Sequence, residues 1–163
     1  MAAEAPAIFV ALEQSGFAAA IRQSLWLYPA ANVGHIVFLA MFAGSVAIMD
    51  VRLLGGLVAM PPGALLTRAR RFAMAALAGM AITGFMLFSA EASHVSLNPV
   101  FQIKMALLVA GLVNVALYEL SLKRAVEALA PGAALPPRAK VVGVVSLGIW
   151  LAVAICGRSI AYF

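Results

Sequence analysis

Charge is what this sequence has least of. Asp, Glu, Lys and Arg make up 10% of its 163 residues, whereas a soluble domain carries roughly 25%. Hydrophobic residues make up 65%. Apolar surface this extensive needs lipid as its solvent, which excludes an ordinary soluble domain. Cysteine is nearly missing: Cys156 stands alone in an apolar run. It excludes an internal disulfide and a cysteine-based zinc site, and reads as a small buried hydrophobe. Histidine occurs twice, as His35 and His94. No nucleophile–base pair, phosphate-cradling glycine loop or zinc spacing is present, so nothing in the chain points to catalysis. A basic region ahead of the first apolar residues is missing too, since the first charge is Glu4. Residues 1–28 therefore do not read as a cleaved signal peptide. The formal net charge is +5, but the charges sit at the ends of apolar runs and not in one stripe. That placement argues against nucleic acid as a partner.

What the chain has is apolar length. About 20 mostly apolar residues cross a bilayer, and four stretches qualify, at about 31–51, 72–90, 99–118 and 141–156. The segment 6–25 is interrupted by Glu13-Gln14-Ser15 and Arg22-Gln23-Ser24, and reads as a helix lying in the interface. Trp26 and Tyr28 suit the headgroup level, and Pro29 permits a turn into the first span. The expected fold is all-α: a single domain, 1–163, forming an integral membrane four-helix bundle with an N-terminal interfacial helix. Pro61-Pro62-Gly63 and Pro131-Gly132 mark loops, and 91–98 reads as a short polar loop. Eight of the eleven basic residues fall in 52–71 and 119–140. Basic loops face the cytoplasm, so both termini are expected outside, in a bacterial inner membrane.

Ionisable groups in hydrocarbon are costly and are functional candidates by default. Antiparallel threading places His35, Glu91, His94, Lys104 and Arg158 near the outer mouth of the bundle. Asp50 and Arg52, at the inner end of the first span, read as a boundary charge pair. Two imidazoles and two cations are what a b-type haem needs: His35 and His94 as axial ligands, Lys104 and Arg158 for the propionates. Bundle cores commonly host such groups. The alternatives are plainer. In them His35 hydrogen-bonds a neighbouring helix, Lys104 snorkels to the headgroups, and Asn114 acts as interhelical glue. Met41, Met49, Met74, Met80, Met86 and Met105 are soft enough for Cu(I), or are packing filler.

Residues 27–55, LYPAANVGHIVFLAMFAGSVAIMDVRLLG, and 98–108, NPVFQIKMALL, resemble an uncharacterised family of bacterial multi-span membrane proteins. A histidine opening one span and a lysine opening a later one are more distantly similar to the membrane protoporphyrinogen oxidase and copper-resistance D families. That resemblance touches His35 and Lys104 only, and implies that they serve haem. The chain lacks the tryptophan-rich surroundings of the oxidases, and Tyr118-Glu119 stand where a further histidine is expected, so haem binding and not porphyrinogen oxidation is the implication. Three functions follow as expectations. One is a haem b membrane protein for electron transfer, perhaps with quinone or within a respiratory complex. The second is a cofactor-free accessory subunit, as a homo-oligomer or in a larger membrane complex. The third is copper or small-solute passage.

Overall fold

A computed structural model describes residues 4–162. Among the described residues the chain is all-α. Two short helices, α1 (Ala7–Glu13) and α2 (Gly16–Gln23), precede the first long one, α3 (Leu27–Leu53). Then come α4 (Pro62–Ala90), the short α5 (Ala92–Leu97), α6 (Pro99–Ser121), the short α7 (Lys123–Glu127) and α8 (Pro137–Ser159). Four helices are long and apolar enough to cross a membrane. The shorter of them, at 23 residues, is about 35 Å long, more than the ~30 Å hydrocarbon core. Large apolar side chains point outward on all four: Val33, Ile82, Val109 and Ile155 are each at least 60% exposed. Such surfaces are stable only against lipid, and the fold is that of a multi-pass membrane protein.

The helices outrun the apolar stretches because their ends are built from local signals. Pro62 occupies the first turn of α4, where its missing N–H costs nothing. Arg68, Arg70 and Arg71 are therefore helical, not part of a loop. The Asn98 side chain caps α6, accepting from the amides of Val100 at 2.9 Å and Phe101 at 3.3 Å. At the end of α3, Gly55 has φ +99°. Its N–H donates to the Arg52 carbonyl at 3.1 Å and that of Gly56 to Val51 at 2.8 Å, a Schellman closure that requires the left-handed glycine.

Three sequence expectations change. The interfacial segment 6–25 is two helices, because Ser15 leaves helical geometry and its hydroxyl caps α2 at the Ala18 amide. The turn into the first span falls at Ser24, whose hydroxyl takes the amides of Trp26 and Leu27. Pro29 instead lies within the first turn of α3. Lastly, 91–98 is mostly helix. Glu13 supplies the missing cap, accepting from the Ser93 amide at 2.7 Å and from the Ser93 hydroxyl. Arg22 in turn donates to the Ala90 carbonyl at 2.9 Å, satisfying the last turn of α4. With Phe9 edge-on to Phe88 and Phe17 stacked on Phe85, α1 and α2 are clamped over one end of the bundle.

In the bundle α3 packs along α4, α8 along α6, and α3 against α8. Small residues permit the close approaches. The Phe38 ring lies 2.6 Å from where a Cβ on Gly79 would sit, and the Trp150 ring 2.9 Å from one on Gly111. Trp150 also meets Phe42 edge-on at 4.6 Å between centroids. Helices α4 and α6, consecutive among the long helices, are joined through long side chains: Phe88 stacks on Phe101 at one end, and Arg70 pairs with Glu119 at the other.

Two predictions follow from these contacts. Gly79→Ala must displace the Phe38 ring and should cost about 1–3 kcal/mol, read as a lower unfolding midpoint in detergent. Gly148→Ala, with open space around it, should leave the midpoint unchanged or raise it; equal effects at both sites would contradict this packing. Ser93 holds the Glu13 carboxyl below its ordinary value of 4.5, mainly through the hydroxyl and then the amide. A carboxyl depressed in the folded state stabilises above its unfolded pKa and loses that contribution as pH falls through the folded one. Protection of the α1 amides against hydrogen exchange should therefore fall below pH 4.5, and in Ser93→Ala it should be lower at neutral pH and less dependent on pH.

Candidate functional site

One face of α3 organises the interior. His35, Phe38, Phe42, Val46 and Asp50 recur at three- and four-residue steps, which places them on one side of a helix. Phe42, Val46 and Asp50 are buried. The face thus reads polar, apolar, polar, with His35 and Asp50 separated by about 22 Å of helix rise.

At the His35 end, α4 makes room for the imidazole. The ring carbon Cε1 would lie 3.1 Å from a Cβ on Gly84. His35 Nδ1 lies 3.0 Å from the Thr83 hydroxyl. That hydroxyl lies 2.7 Å from the Gly79 carbonyl, and when its single proton goes there its oxygen is free to accept from the ring. The Met80 carbonyl, also near the ring, adds a further acceptor on α4. The tautomer in which Nδ1 donates to Thr83 satisfies both groups and presents a bare Nε2. Lys104 of α6 comes close enough for its charge to act on the His35 ring. Its Nζ reaches across to α8, 3.6 Å from where a Cβ on Gly157 would sit, with Cys156 nearby. Among the described residues Lys104 makes no ion pair.

The other expected site residues lie elsewhere. His94 is exposed on α5, where its charge acts on Glu13 of α1. Arg158 is exposed too; its guanidinium donates to the Tyr162 hydroxyl and lies 4.8 Å from that ring's centroid. Glu91 is exposed at the end of α4. Lys104 thus lies within electrostatic reach of His35, while His94 and Arg158 are exposed at the periphery. Met41, Met74 and Met105 are 43–64% exposed and face outward. Among the described residues no three His, Cys, Asp or Glu side chains group as metal ligands.

The opposite end overturns the expectation of an ordinary boundary pair. Asp50 is 3% exposed and Arg52 1%. Two residues apart on a helix they point in different directions, and no ion pair joins them. Arg52 Nη1 reaches only the Gly56 carbonyl, at 3.4 Å, and its Nε and Nη2 have no partner. Its placement in the last turn of α3 suits the negative end of the helix dipole. Asp50 lines a cavity of about 70 Å³ with Arg70, Asn114, Tyr118, Glu119 and Ser146. Arg70 is held at 2.8 Å from Glu127 of α7 and 2.6 Å from Glu119 of α6, the latter a charge contact and not an aligned hydrogen bond. Lys123 completes the chain at 2.7 Å from Glu119. Asn114 donates to the Val142 carbonyl of α8 at 3.2 Å, the interhelical role expected of it. Sequence proximity hid this cluster; the helical spacing from His35 to Asp50 was the signal that could have found it.

These features define a multi-pass α-helical membrane protein with a polar cluster at each end of an apolar bundle. Residues 12–163 match a family of unknown function, DUF6644, and the chain belongs to that family. No curated protein and no solved structure matches it.

Proposed function

We propose that the chain is an integral membrane haem b protein that serves electron transfer, with His35 as iron ligand and Lys104 as propionate partner. One observation carries this reading: His35 Nδ1 sits 3.0 Å from a Thr83 hydroxyl whose own proton has the Gly79 carbonyl as acceptor, an arrangement that frees Nε2, and the charge of Lys104, without an ion pair among the described residues, acts on the same ring. Metal-ligating histidines commonly donate their other ring N–H to a fixed acceptor, which sets tautomer and orientation. The residues present fit one axial position and one propionate. When bound, the group supplies one-electron transfer. The chain's own residues orient the imidazole, place one positive charge in a setting of low dielectric, and keep water from the apolar layer beneath. The distant similarity of His35 and Lys104 to the membrane protoporphyrinogen oxidase pattern supports the same assignment. The basic residues in 52–71 and 119–140 support an orientation with both termini outside the cytoplasm.

A second reading has its own support. The His35–Thr83 bond ties α3 to α4 and satisfies a buried polar group without any cofactor, as in an accessory subunit of a larger membrane complex.

Protein purified from haem-replete cells should show a Soret band that shifts on reduction. His35→Ala should remove the band. His94→Ala should keep it, because His94 sits beside Glu13 and not against the His35 ring. A colourless wild-type preparation contradicts the haem reading and favours the accessory one.

A further inference from the structure

The cavity at the Asp50 end is built from four helices. At about 70 Å³ it has room for a few waters or one small ion. Its polar lining is deeply buried: Asp50 is 3% exposed, and Asn114, Tyr118 and Ser146 are each 7% exposed. Two of these groups lack partners, the Asp50 Oδ2 and the Tyr118 hydroxyl. Asn114 uses its Nδ2 on the Val142 carbonyl, leaving the amide oxygen as an acceptor. The Ser146 hydroxyl lies beside the Asp50 carboxylate.

The charges facing Asp50 from each packed element decide what belongs there. Helix α4 brings Arg70, but its guanidinium is engaged by Glu119 and Glu127. Helix α6 brings Tyr118 and Glu119; α7 brings Glu127, and Lys123 lies on Glu119. Helix α8 brings only Ser146. Arg52 turns to Gly56 on its own helix. Asp50 is thus a buried carboxylate with no cation of its own, a state too costly to persist in a low dielectric.

We propose that this end of the bundle is a binding site for one small monovalent cation, carried by Asp50 and completed by the oxygens of Ser146, Asn114 and Tyr118. A single uncompensated carboxylate among neutral oxygens matches one positive charge. A divalent ion would leave a positive charge unmatched here, since calcium sites usually combine several carboxylates. Two sources share this chemistry, a sodium ion and a proton resting on the carboxylate. Intramembrane carboxylates commonly serve such ion paths. The site lies an apolar layer away from His35 and does not depend on haem.

The full-length protein in detergent tests this through its unfolding midpoint in sodium chloride against choline chloride at fixed ionic strength. Infrared spectra of wild type and Asp50→Asn provide the second readout. A sodium-dependent rise in midpoint that Asp50→Asn abolishes identifies sodium. Indifference to sodium, with a protonated-carboxyl band that Asp50→Asn removes, identifies a proton. Wild type that shows neither response overturns the proposal, as does sodium dependence that survives Asp50→Asn. If Asp50→Asn does not fold, Ser146→Ala takes its place. It keeps the carboxylate and should weaken the sodium effect about two- to tenfold, the worth of one hydrogen bond, or shift the carboxyl band. No change in either overturns the proposal.

Discussion

The hydrogen bond between His35 and Thr83 is the interaction on which the rest of this structure turns. In hydrocarbon a polar side chain has no water to fall back on, so each must find its partner within the bundle. Thr83 meets that demand in both directions. Its proton goes to the carbonyl one turn back on α4, and its oxygen receives the His35 ring. The bond sets the rotation of α3 against α4, and that rotation decides which α3 residues face inward. Once His35 points at Gly84, Phe38 must lie on Gly79, and Asp50, on the same face, must be buried at the far end.

The two polar ends are therefore consequences of one helix face. Between them Phe42, Val46, Met80 and Trp150 form a dry layer, with Trp150 wedged between α3 and the small Gly111 of α6. The ends differ in kind. The His35 end has an imidazole and, among the described residues, a cation without an ion pair. The Asp50 end gathers an unpaired carboxylate next to a neutralised network of Arg70, Glu119, Glu127 and Lys123. Helix α7 is part of that second end: it packs so closely on the start of α4 that a Cβ on Gly63 would lie 2.7 Å from the Glu127 carbonyl.

Much of the fold was legible in the residues. Apolar length picked out four spans, and the third, expected from residue 99, begins there as α6. Helix ends were harder, since Pro62 and the arginines after it continue a helix whose apolar part begins only at Phe72. The helical 91–98 segment was not legible either, because its cap, Glu13, comes from 80 residues away. At the candidate site, antiparallel threading fixes height, which is why depth alone could put Lys104 within electrostatic reach of His35. Depth could not tell which way His94 faces, and that was decided by the docking of α1 on α5. Asp50 and Arg52 were misjudged because neighbours in sequence suggest a pair, whereas a helix turns residues two apart away from each other.

The tautomer of His35 tests the central claim most directly. Nitrogen-15 NMR of haem-free protein in bilayers, labelled at histidine and carrying His94→Ala so that one imidazole remains, reads each ring nitrogen separately. Expected is a neutral ring with its proton on Nδ1 and a bare Nε2, and a changed Nδ1 signal in Thr83→Ala. A proton on Nε2, or a doubly protonated ring at neutral pH, would contradict it.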